Sequence, residues 1–180
     1  MAYFINLLTF SRIFLGVIIF ALLTRPEGYF PALILFFIAG ASDYFDGYLA
    51  RKYNLTSQLG EILDPIADKI LILFVLFGLS VNLSSYFIAI LSSLIIAREI
   101  WVGALRDFNA RQGRSDATKV TFLAKIKTSI QLFTISIYLL GLTLNNMLFI
   151  LFGDMFLFLS LLITIYTGFI YTLNSFKDDY

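Results

Sequence analysis

The segment Asp43-Tyr-Phe-Asp46-Gly47-Tyr-Leu-Ala50-Arg51, followed after eight residues by Gly60-Glu-Ile-Leu-Asp64-Pro-Ile-Ala-Asp68, carries four aspartates in two pairs. The pairs are spaced i,i+3 and i,i+4. On a helix those spacings return to nearly the same azimuth, so each pair points to one side. Two helical segments would then bring four carboxylates towards one point. Gly40, Gly47 and Ala50 share a helical face with Asp43, within about 60°. Gly60 stands four residues before Asp64. Small residues in such places allow a backbone or a ligand to approach closely.

The surroundings of these acids are apolar. Of 180 residues, 59% are hydrophobic and 14% are charged, and the mean hydropathy is +0.88. A soluble domain carries about 25% charged residues, so the composition predicts an all-α, polytopic membrane protein. The length predicts a single domain over 1–180, built as one helical bundle. Cysteine and histidine are both absent. That excludes thiolate and imidazole chemistry, disulfides, and zinc sites built on Cys or His. Carboxylates instead favour hard cations such as Mg²⁺ or Mn²⁺. The net charge is +1, and no nucleic-acid partner is expected.

Six apolar spans are predicted, at about 5–23, 31–49, 62–79, 85–106, 122–144 and 149–173, each close to the roughly 20 residues that a crossing helix needs. The first is expected to be retained, because Arg12 interrupts its apolar run and no small-residue cleavage site follows. Arg25-Pro-Glu-Gly28, Val81–Ser85 and Gly141–Asn146 read as breaks. Twelve of the thirteen basic residues fall on one side of this arrangement and only Arg25 on the other. The positive-inside rule then predicts a six-transmembrane-helix bundle with both termini cytoplasmic and the aspartates at the cytoplasmic side.

Acids at a helix N-terminus are favoured by the macrodipole, which would account for Asp64 and Asp68 at the start of the third span. It does not account for Asp43 and Asp46, near the end of the second. A charge at the centre of a membrane helix costs about 2.5–3.5 kcal/mol on insertion scales. Clustering four acids adds repulsion, which bound divalent cations relieve. Four carboxylates suit two cations about 3.5–4 Å apart, as in two-metal phosphoryl chemistry, and Arg51 beside them suits a phosphate.

This stretch resembles the CDP-alcohol phosphotransferase family, whose signature D-x2-D-G-x2-A-R-x8-G-x3-D-x3-D is matched at all eight defined positions. The resemblance implies that Asp43, Asp46 and Asp64 ligate two divalent cations, Mg²⁺ or Mn²⁺. It implies that Asp68 both ligates and acts as general base on the incoming alcohol. Gly47, Ala50, Arg51, Ser57 and Gly60 would line the CDP-diacylglycerol site. Asn6 and Thr9 would border it too, because Asn6-Leu-Leu-Thr9-Phe-Ser-Arg12 resembles an N-terminal Asn-x-x-Thr-x-x-Arg element of the family. The family also implies a homodimer.

The acceptor is read from the second half of the chain. Arg98, Arg106, Lys125 and Lys127 could form a basic pocket, and a basic pocket suits an anionic acceptor. Arg98 could equally pair with Glu99 or a neighbouring aspartate, or snorkel to the interface. Ala97-Arg98-Glu99-Ile100, Leu105-Arg106 and Ala124-Lys-Ile-Lys-Thr128 are similar to segments of the family's glycerol 3-phosphate-using branch, the bacterial phosphatidylglycerophosphate synthases, with Ala124 in place of their usual glycine. The implied reaction joins CDP-diacylglycerol and sn-glycerol 3-phosphate in a bacterial inner membrane, with the active site facing the cytoplasm. A cardiolipin synthase of the same family, with phosphatidylglycerol as acceptor, is the nearest alternative. A divalent-cation transporter is more remote, since the acids lie towards one face and the outer halves of the spans read as lacking polar residues to match.

Overall fold

The structure, a computed structural model, describes residues 2–53, 58–118 and 122–177. Among these, six α-helices follow one another: α1 (Ala2–Leu22), α2 (Tyr29–Tyr53), α3 (Gln58–Asn82), α4 (Tyr86–Arg111), α5 (Phe122–Thr143) and α6 (Met147–Ser175). No strand occurs among the described residues. Three of the helices, α4, α5 over Ile126–Thr143 and α6, are long and apolar enough to cross a membrane, as befits a helical membrane protein.

The breaks fall where the sequence predicts them. Pro26–Gly28 forms a short 3-10 turn after α1. Ser84 and Asn145 adopt left-handed backbone, φ 47° and 49°, in the tight turns after α3 and α5. The Asn82 amide donates to the Leu23 carbonyl (2.7 Å) and to Tyr29 Oη (2.8 Å), tying the α1–α2 and α3–α4 turns together at one end of the bundle. Ser85 and Asn146 cap α4 and α6 by accepting from the Ile88 and Leu148 amides, each satisfying one of the open N–H groups of a first turn.

The helices run further than the apolar spans. Helix α2 continues through Arg51-Lys52 to Tyr53, and α3 begins at Gln58. Backbone hydrogen bonding carries a helix past the point where its side chains stop being apolar. Asp43 therefore lies ten residues inside the end of α2 and Asp68 ten residues inside the start of α3. The macrodipole acts over the terminal turn, so it explains neither position.

Helix α1 packs on α2 and α3, α6 packs on α4 and α5, and α3 meets α4 while α2 meets α5. A core of Ile19, Leu23, Ala32, Phe36, Leu71, Leu76, Ile95, Ile135, Tyr138, Leu157 and neighbours runs through both halves. A polar seam joins α4 to α6: Arg98 donates to Thr167 Oγ1 (2.6 Å), Trp101 to Thr172 Oγ1 (2.9 Å) and Asn109 to Ser175 Oγ (2.7 Å).

One expectation is corrected. The half of α6 remote from the basic cluster does carry an acid, Asp154, which accepts a hydrogen bond from the buried Tyr138 at 2.6 Å. The hydropathy of α6 hides one carboxyl among so many Leu, Ile and Phe. Next to it, Gly153 lies flat on the Tyr138 ring, where a Cβ would come within 2.6–2.8 Å of three ring carbons. At Gly40 a Cβ would meet no atom within 4 Å. Gly153→Val should therefore lower the melting temperature of the detergent-purified protein by several degrees, at an overpacking cost of about 1–3 kcal/mol. Gly40→Ala should leave it within a degree or two. Equal melting temperatures for the two variants would contradict this packing of α5 on α6.

Candidate active site

Two of the four motif aspartates have described side chains, and they converge. Asp43 on α2 and Asp68 on α3 both accept from one nitrogen, Nη1 of Arg12 on α1; the contact to Asp68 is 2.5 Å. Arg12 is fully buried, while Asp43 and Asp68 keep 51% and 43% of their side-chain surface open. The guanidinium thus sits behind the carboxylates and leaves their other faces accessible. Arg12 is the residue that the spacing argument overlooked. Its signal was present: a cation inside an apolar span, three residues after Thr9. Thr9 is buried one turn away on the same helix.

This convergence tests whether the residues suit a divalent cation. Carboxylate oxygens from two helices meet at one positively charged nitrogen, so a cation is already stabilised between them. The donors are hard oxygens with open lone pairs, the set that Mg²⁺ and Mn²⁺ take. Asp43 and Asp68 fit. Among the described residues no third acid joins them. The other two expected ligands are Asp46 on α2 and Asp64 on α3; their side chains lie outside the described residues. So do those of Asn6 on α1, Gly47, Ala50 and Arg51 on α2, Gly60 on α3 and Lys125 on α5. Ser57 lies outside the described residues altogether.

From Asp68 a cavity of about 620 Å³ opens between α3, α4 and α5. Its polar wall holds Asp68, Lys69, Arg98, Glu99, Arg106 and Lys127, and its apolar wall is made by Ile66, Ile70, Ile95 and Ile96. Three of the four expected acceptor residues, Arg98, Arg106 and Lys127, therefore share one space with Asp68. The spacing on α4 explains part of this. Glu99, Gly103 and Arg106 follow at i, i+4 and i+7 and form one stripe.

Arg98 lines the cavity and is also paired. It donates to Glu99 at 3.0 Å and to Thr167 at 2.6 Å, and its guanidinium lies 5.8 Å from the Tyr171 ring centroid. Gly168 makes room for it: a Cβ there would lie 2.9 Å from Arg98 Nε. Glu99 also accepts from Lys127, which is buried on α5. One carboxylate thus joins two cations from two helices. Arg106 is more open and lies 5.9 Å from the same Tyr171 ring.

A chamber with Asp68 on one side and cations along its wall can position an anionic hydroxyl compound with its hydroxyl at Asp68.

Comparison with known proteins gives the family. A family model described as CDP-alcohol phosphatidyltransferase matches residues 3–166. A CDP-diacylglycerol–glycerol-3-phosphate 3-phosphatidyltransferase of Rickettsia bellii is 40% identical over 169 residues, 92% of this chain and 91% of the relative. The protein of that name from Blochmanniella floridana is 34% identical over 177 residues, 96% of this chain and 92% of the relative. The one from Escherichia coli K12 is 35% identical over 103 residues, 57% of each chain. The chain belongs to the CDP-alcohol phosphatidyltransferase family.

Proposed function

We propose that this protein transfers the phosphatidyl group of CDP-diacylglycerol to sn-glycerol 3-phosphate, forming phosphatidylglycerol phosphate and CMP. The observation that carries the reading is the single cavity lined by Asp68 together with Arg98, Arg106 and Lys127. It is also the activity by which the relatives are named.

In this reading the acceptor's phosphate rests among the cations and its hydroxyl reaches Asp68. Asp68 takes the hydroxyl proton as the oxygen attacks the lipid-side phosphorus. A new P–O bond forms to the glycerol carbon's oxygen, and the P–O bond to CMP breaks. Asp43, Asp46, Asp64 and Asp68 would hold divalent cations, Mg²⁺ or Mn²⁺, which offset the charge developing on the diphosphate oxygens. Arg51 binds a phosphate of the donor, with Asn6, Thr9, Gly47, Ala50, Ser57 and Gly60 around the CDP moiety. Arg12 keeps Asp43 and Asp68 turned towards one another. Arg98, Arg106, Lys125 and Lys127 orient the acceptor, and orientation of this kind removes much of the entropic part of a barrier.

The same reading makes 1–180 one domain with six membrane-spanning helices, both termini and the active site cytoplasmic, in a bacterial inner membrane. The side-to-side bias of basic residues supports that orientation. A homodimer completes it.

Purified protein given CDP-diacylglycerol, Mg²⁺ and each acceptor in turn should release CMP with sn-glycerol 3-phosphate. Release with phosphatidylglycerol alone would overturn the substrate assignment. Asp68→Asn should lower turnover by roughly 10²–10⁴-fold, the usual share of a general base, while donor binding is partly kept; near-normal turnover would remove Asp68 from that role. Arg106→Ala should raise KM for glycerol 3-phosphate more than KM for CDP-diacylglycerol, and equal effects on both would take Arg106 out of the acceptor pocket.

A further inference from the structure

The cavity has a fourth cation that neither the signature nor the basic segments of the second half single out. Lys69 follows Asp68 directly on α3 and lines the same space. Its ammonium lies against α4 at Gly103, where a Cβ would stand 4.0 Å from Nζ. Gly103 sits between Glu99 and Arg106 on the α4 stripe, so Lys69 brings its charge to the middle of that stripe.

The four cations are not equivalent. Arg98 and Lys127 are both paired with Glu99 and largely buried. That trio carries a net charge of +1 and has most of its hydrogen-bonding capacity in use. Lys69 and Arg106 are exposed, and neither forms an ion pair among the described residues. A dianionic phosphate gains most from cations that are not already neutralised.

We propose that Lys69, with Arg106, is a primary contact for the phosphate of the acceptor, while Glu99, Arg98 and Lys127 form the preassembled wall behind it. This rests on the reading of the cavity as the acceptor site. It gives adjacent residues of α3 two ends of one substrate: Lys69 holds the phosphate and Asp68 meets the hydroxyl. The cavity is thereby matched to a short phosphorylated alcohol rather than to a neutral one.

Two measurements test it. In steady-state assays Lys69→Gln should raise KM for glycerol 3-phosphate at least tenfold, with KM for CDP-diacylglycerol changed less than twofold, and Lys69→Arg should restore most of the loss. An unchanged KM for glycerol 3-phosphate, or equal rises for both substrates, would overturn the assignment while leaving the proposed reaction standing. Independently of turnover, inorganic phosphate at millimolar concentration should raise the melting temperature of the detergent-purified protein, and less so for Lys69→Gln. Equal phosphate-induced shifts in the two proteins would overturn the Lys69 contact, even for a protein that acts on another acceptor. Lys69 is exposed, so the Gln variant should melt at the parent temperature when phosphate is left out.

Discussion

A buried guanidinium holds α1, α2 and α3 of this bundle together. Arg12 lies inside α1 with essentially no contact with solvent, and it draws a carboxylate from α2 and one from α3 onto the same nitrogen. A charge taken out of water is costly unless it is paired and hydrogen-bonded. The pairing therefore constrains how α1, α2 and α3 can be arranged, since any packing that separates Arg12 from Asp43 and Asp68 strands a charge in an apolar interior. It also constrains the acids. Two carboxylates side by side repel, and the cation behind them offsets that repulsion while their other faces stay open.

The cluster on α4 and α5 obeys the same rule with the signs reversed. Glu99 stands between Arg98 and Lys127, a single acid serving two buried cations. Removing one partner of a buried pair costs about 3–5 kcal/mol, because the survivor is left uncompensated. The trio therefore fixes α4 against α5, while Thr167, Tyr171 and Gly168 seat Arg98 on α6. Asp68 and Glu99 line one cavity, so the two charge clusters meet across α3 and α4. One cluster is acidic with a cation behind it and the other is basic with an acid behind it. In the proposed reading, that polarity would keep a diphosphate with its divalent cations and a phosphorylated alcohol side by side without mixing their places.

Much of this was legible in the residues alone. The positions of the helix breaks followed from Pro26, Gly28 and the polar residues around Ser84 and Asn145. The aspartate spacing identified Asp43 and Asp68 as neighbours across two helices. Arg98, Arg106 and Lys127 were recognised as one group. Other features escaped for identifiable reasons. The pairing of Arg12 with two aspartates escaped because its partners lie 31 and 56 residues away, and only the packing of α1 on α2 and α3 makes them adjacent. Lys69 was one of the twelve basic residues assigned to one side, although it reaches across to Gly103 on α4. Asp154 was submerged in the most apolar helix, where an average over many residues conceals one carboxyl.

Composition and spacing determined by themselves that this is a helical membrane protein with paired aspartates and a basic second half, because hydropathy and helical periodicity are local properties of a chain, while the motif's resemblance to a known family supplied the chemistry. Only the tertiary structure decided which charges neutralise one another and which stay available. Burial and pairing depend on contacts between helices far apart in sequence, and no period or motif encodes them. Of the four cations that line the cavity among the described residues, Glu99 occupies Arg98 and Lys127, and no described residue forms an ion pair with Lys69 or Arg106. That distinction exists only once α3, α4 and α5 have packed around a common space.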